Sequence, residues 1–355
     1  MVAAIEVFYL LVMTQSIMVH VNILPLIYLA AGRDGWISAL VFTLLGMLTV
    51  WAICRLRIAF SSGFDDFIGK IGGKFTLILL KCVFIVYFLF LSAYSLASLL
   101  DLIKYVFLPF TPLWAIALYF MLACVYLTYK GYKNIALVAG MLVYIAMFSG
   151  ILISIFDMYE KNFRNLLPVM EFGLPPIIRG IFVLCSIWAE MLFLLFIPLD
   201  INKRKSYARA CQLGVIANGL TAVLTISGVV MIFGLGQTKQ LYFPSLEIVR
   251  LLTLGFVDRF DVYGEVLMIF GIFIRCGLFL RVALDQISPP SRRILHFITL
   301  LALGAAVMVA GILMARTHFI YMRYLHLYVY GIFMLTIPVF LYGLMFFRKL
   351  AGRNS

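Results

Sequence analysis

The stretch Ile177–Leu199 reads IIRGIFVLCSIWAEMLFLLFIPL and is interrupted only by Arg179 near its start and by Glu190. Crossing the hydrocarbon core of a bilayer as a helix takes about 20 apolar residues, so this stretch predicts a membrane span. An ionised side chain at the centre of such a span costs roughly 3 kcal/mol or more. Glu190 therefore has to face a protein-lined interior, pair with an opposite charge, or handle a ligand or ion. What Glu190 faces is the question on which the function turns.

The rest of the chain has the same character. Over 355 residues, 65% are hydrophobic and 12% charged, whereas a soluble domain carries about 25% charged residues. Ten-residue segments of alternating hydrophobicity, the mark of a membrane barrel, are absent, so the class is all-α membrane protein. The net charge of +13 does not point to nucleic acid, because the basic residues lie in short loops between apolar spans. There they report topology. The six cysteines show no CxxC and no histidine at ligand spacing, and are read as small core residues. The N-terminal apolar run lacks a basic leader and a small-residue cleavage site, so it is read as a first span rather than a removed signal.

About ten spans can be laid out, near 6–30, 36–57, 75–104, 112–130, 135–157, 175–199, 208–236, 261–285, 293–314 and 320–347, within a single integral membrane domain over 1–355. Lys and Arg in the connecting loops number about 16 on one side and about 10 on the other, which favours both termini in the cytoplasm. Ten spans divide into five plus five, about 6–157 and 175–347. An odd number per half means the second half enters from the opposite side, the plan of an inverted repeat. That plan predicts breaks near the midplane in the first helix of each half. Span 1 carries Thr14-Gln15-Ser16, then His20 and Asn22, and ends at Pro25. Span 6 carries Ser186-Ile187-Trp188-Ala189-Glu190 and ends at Pro198.

The candidate ligand-binding residues follow from that placement. Ser16, Ile17, Met18, Val19 and His20, with Ser186 and Ala189, would supply backbone groups at the two breaks, Trp188 lying between the latter pair. Arg275, in the middle of span 8 within FGIFIRCGLFL, is the natural partner for Glu190 or for a ligand carboxylate. Tyr87 and Tyr94 are seven residues apart and share a helix face; with Phe279 they would form walls. Lys81 lies about one and a half turns into span 3, on the cytoplasmic side, where snorkelling explains it, and Asp101 and Lys104 lie near its outer end. No metal cluster or catalytic triad is present, and Gly69–Lys74 (GKIGGK) lacks the phosphate-loop pattern. Nothing points to an enzyme or to a cofactor.

Five blocks carry a resemblance. AGRDGWISAL at 31–40, YKGYKNIA at 129–136, NLLPVMEFGLPPIIRG at 165–180, AEMLFLLFIPLD at 189–200 and FPSLEIVRLLTLGFVDRFDVYGEVLMI at 243–269 resemble, in order, the spore germination permeases, the B subunits of nutrient germinant receptors. The resemblance implies a LeuT-like 5+5 inverted repeat with broken helices 1 and 6, of the amino acid–polyamine–organocation superfamily. It implies a seat in the inner membrane of a bacterial spore beside an A-type subunit and a lipoprotein C-type subunit. It also implies recognition of a small nutrient, commonly an amino acid, that triggers germination. The alternatives are a proton-coupled amino-acid transporter with Glu190 as carrier and a scaffold subunit that binds no ligand. One departure from the family pattern is plain: Ser16–His20 has no glycine, and Ala189 stands where Gly often precedes the Glu. Bulkier residues there predict a smaller pocket or more continuous helices.

Overall fold

The computed structural model describes residues 2–59, 64–199, 203–251, 261–287 and 293–316, together with Phe333 and Gly343. Among these residues the regular structure is helical, and nine helices are long and apolar enough to cross a membrane. The chain is an all-α membrane protein. The tenth expected span, 320–347, apart from Phe333 and Gly343, and residues 252–260 of the block at 243–269 lie outside the described residues.

Helix α1 (Ala4–Met18) passes through a π-helical turn, Val19–Ile23, into α2 (Leu24–Ala30). Pro25, at the second position of α2, has no N–H to give to the carbonyl four residues back, and its ring would press on that carbonyl. The chain widens by one residue just before it, and Leu24 N–H bonds to the Val19 carbonyl instead. Helices α3 (Gly35–Ala59) and α4 (Phe64–Val106) follow. Phe64–Gly72 forms a helical piece where a polar connection was expected, and it bends into the span at Gly73, whose φ of 75° suits glycine.

Helices α5 (Leu113–Lys130) and α6 (Tyr132–Phe156) are joined by Gly131 alone, at φ 86°. Along α6 the division between lipid and protein is clear. Met141, Tyr144, Phe148, Ile151 and Ile155 are exposed at helical spacing, while Ile135, Ala136, Ala139, Gly140 and Val143 are buried.

Helix α7 (Leu174–Cys185) continues without a gap into a 3-10 segment, Ser186–Leu195. The change of winding falls at Ser186, whose hydroxyl donates back to the Val183 carbonyl at 2.7 Å and competes with the α-helical pattern. Then come α8 (Arg204–Thr238), the short α9 (Pro244–Leu251), α10 (Asp261–Ile287) and α11 (Arg293–Arg316). The most extensive packing is of α10 along α4 and of α3 along α8, with α1 set between α8, α6 and α10.

At one end of the bundle the start of α1 is fastened to the chain that follows the 3-10 segment. Val2 pairs with Leu199 as an isolated parallel bridge, its N–H reaching the Pro198 carbonyl at 3.0 Å. Tyr207 on α8 donates its hydroxyl to the Val2 carbonyl, and Arg57 donates to the Ile197 carbonyl at 3.2 Å.

Candidate functional site

In a 3-10 helix residues three apart stand in line, so the segment after α7 presents Glu190, Phe193 and Phe196 along one side. Phe196 packs among Phe64, Phe84 and Phe88, at ring separations of 5.1, 4.9 and 5.7 Å. Phe193 lies 6.3 Å from Phe279 of α10. Glu190 is thereby carried to the interface of α4 and α10.

There it meets Arg275. The guanidinium grips the carboxylate with two hydrogen bonds, Nε to Oε2 at 3.1 Å and Nη2 to Oε1 at 2.9 Å. Its remaining nitrogen, Nη1, donates to the Leu91 carbonyl at 3.2 Å and to the Ser95 hydroxyl of α4. Ser95 in turn donates to Leu91 O at 2.6 Å. Phe279 lies 5.0 Å from the guanidinium carbon, within cation–π range. Both charged side chains are 0% exposed. The forked geometry matches carboxylate to guanidinium, and the hydroxyl and carbonyl of α4 occupy Nη1. Three helical segments distant in sequence are thus tied at one point.

Tyr87, also fully enclosed, is within electrostatic reach of both charges, and its ring stacks on Phe333 at 3.9 Å. Tyr94 is buried further along α4, stacked near Phe90 at 6.1 Å. Trp188 turns the other way. Its ring stacks on Phe42 of α3 at 4.2 Å, its Nε1 donates to the Phe42 carbonyl at 2.9 Å, and it fills the notch at Gly46, where a Cβ would overlap the indole. Among the described residues the Ser186 hydroxyl bonds only to Val183 in the last turn of α7, and Ala189 is enclosed beside Glu190.

The π turn forms a second group. Ile17 packs against Gly271 of α10, 3.1 Å from the position of a Cβ there. Met18 Sδ accepts from Asn22 Nδ2 at 3.4 Å, and Val19 is buried. Asn22 also donates to Ser98 of α4 at 2.9 Å, and the His20 carbonyl accepts from Ser245 of α9 at 3.2 Å. Ser16 and His20 are half-buried. The structure therefore brings Glu190, Arg275, Phe279 and Tyr87 together. It sets Ser16 to His20 at a separate junction of α1 with α4, α9 and α10, and it sends Trp188 to α3.

The serines of α4 are the residues that sequence reading passed over. Ser92 donates to the Cys276 carbonyl of α10 at 3.1 Å, Ser95 receives Arg275, and Ser98 receives Asn22. Their spacing of three in an otherwise apolar span was visible, and small hydroxyl residues at that spacing are a usual glue between membrane helices. Lys81, by contrast, pairs with Asp65 at 2.5 Å near the surface.

Comparison with known proteins adds the biological setting. The family described as spore germination protein matches residues 4–320. Spore germination protein XB of Bacillus anthracis is 26% identical over 283 residues, 78% of this chain and 78% of that protein. Spore germination protein KB of Bacillus subtilis (strain 168) is 23% identical over 264 residues, covering 70% of this chain and 69% of its own. Spore germination protein YndE of the same organism is 25% identical over 248 residues, or 68% and 67%.

Proposed function

This chain belongs to the spore germination protein family, and on that premise we propose that it is the B-type subunit of a nutrient germinant receptor in the spore inner membrane. In this reading both termini are cytoplasmic and the chain works beside an A-type subunit and a lipoprotein C-type subunit. Its fold is the five-plus-five inverted repeat of LeuT-like proteins, with the π turn of α1 and the 3-10 segment after α7 as the two corresponding irregular points.

The observation that carries the proposal is the enclosed Glu190–Arg275 pair, which joins α4, the 3-10 segment and α10. A small nutrient with both charges, such as an amino acid, offers a carboxylate to Arg275 and an ammonium to Glu190, and so can replace each half of the pair. Replacement would release the 3-10 segment from α10. The ligand shifts the balance between the tied and released states only by its difference in affinity for them. Tyr87 and Phe279 stand beside the charges as walls.

Uptake of labelled amino acids by the purified chain in liposomes under a pH gradient separates this reading from a proton-coupled transporter. The receptor reading predicts no gradient-dependent uptake by the chain alone, and robust uptake would overturn it. A scaffold that binds nothing predicts an unchanged germinant response when the pair is replaced, as long as the complex assembles.

A further inference from the structure

Beside the π turn, α1 and α8 meet closely. Gly214 of α8 admits Leu11 of α1, whose Cβ would lie 3.1 Å from a Cβ on that glycine. One turn further along α8 is Asn218, opposite Gln15 of α1. Both are 1% exposed and both lie near the middle of their spans.

The hydrogen bonds of Asn218 fix the orientation of both amides. Its Nδ2 gives one hydrogen to the Leu11 carbonyl at 3.2 Å and the other to Gln15 Oε1 at 2.9 Å. Turning the Asn218 amide over would set its oxygen against the Leu11 carbonyl oxygen. Turning Gln15 over would set two donors face to face. What is left over is Gln15 Nε2, with two hydrogens, and Asn218 Oδ1, with its lone pairs. Neither has a partner among the described residues. Leaving such an enclosed group unpaired is costly, and no bulk water reaches membrane depth to serve it.

We propose that Gln15 and Asn218 form a binding site for one neutral hydroxyl group, which accepts from Gln15 Nε2 and donates to Asn218 Oδ1. The pairing of one spare donor with one spare acceptor selects this chemistry. A carboxylate would satisfy Gln15 but confront the Asn218 oxygen. An ammonium or metal cation would satisfy Asn218 but confront the Gln15 N–H groups. A hydroxyl does both, and it has two sources: a resident water, or the hydroxyl of a small uncharged solute such as a sugar. The site shares no residue with the Glu190–Arg275 pair and does not rest on the receptor reading.

The test uses the full-length chain in lipid nanodiscs, at a resolution that shows ordered water. A compact density within hydrogen-bond distance of both atoms is expected in the wild type and absent in Asn218→Leu. A second variant, Gln15→Met, serves if the first does not fold. Thr221→Val is the control, since among the described residues Thr221 bonds only to the Ala217 carbonyl of its own helix. Soaking with D-glucose decides the source. A larger density with a higher melting temperature, in the wild type and the control alone, assigns a solute hydroxyl. An unchanged density assigns water. A wild-type gap without density, or amides that turn to other protein atoms, would overturn the site.

Discussion

Arg275 holds Glu190 through two hydrogen bonds of 3.1 and 2.9 Å, and neither side chain reaches the protein surface. Removing one member of an enclosed ion pair leaves the other uncompensated, at a cost of about 3–5 kcal/mol. Replacing both with apolar groups of similar volume is commonly close to neutral. Glu190→Leu and Arg275→Met are therefore each expected to lower the melting temperature and the amount of protein in the membrane. The double variant is expected to recover most of the loss. Melting curves in nanodiscs, with immunoblots of spore membranes, check this; a double variant as unstable as the sum of the singles would contradict it.

Lys81 gives the opposite expectation. Its pair with Asp65 leaves the two side chains 26% and 57% exposed, and pairs of that kind contribute about 0–1 kcal/mol. Lys81→Gln should leave both stability and the midpoint of the germination dose–response near wild type. A loss comparable to that of Glu190→Leu would mean that Lys81 serves more than its surface pair.

The indole of Trp188 occupies the space a Cβ at Gly46 would need. Gly46→Ala is expected to push Trp188 off Phe42 and to cost about 1–3 kcal/mol, the usual penalty for overpacking. Near-ultraviolet circular dichroism before and after the substitution reports the displaced ring. An unchanged spectrum and melting curve would show that the 3-10 segment is not seated on α3 in this way.

The span pattern was legible because composition and run length alone decide it, and the apolar stretches fall on helices wherever residues are described. The pairing of Glu190 with Arg275 was legible too, because an isolated charge in an apolar run has few physical options. The direction of Trp188 was not. It depends on three-residue winding after Ser186, and no periodicity in an all-apolar stretch separates that winding from an α-helix. Asn218 was passed over although it lies deep within an apolar span. Its role rests on the meeting of α1 and α8, a contact between distant parts of the sequence. At Ser16–His20 and Ala189, where glycine is missing, both segments stay helical and change only their winding.

Asn22 and Ser98 tie the π turn to α4 through a 2.9 Å bond. Hydrogen bonds between membrane helices contribute on average about 0.6 kcal/mol, so Asn22→Ala and Ser98→Ala should each be mild. In a double-variant cycle their effects should fall short of additive by roughly that amount. Full additivity would show that the two side chains do not act on one another.

We propose that the nutrient acts at the enclosed Glu190–Arg275 pair. The deciding measurement is the germination dose–response of spores carrying Glu190→Leu together with Arg275→Met, at wild-type protein levels in the spore membrane. At least a tenfold rise in the nutrient concentration needed is expected, equivalent to a loss of about 1.4 kcal/mol or more of differential binding. A curve that overlays the wild type, with the complex intact, would contradict it.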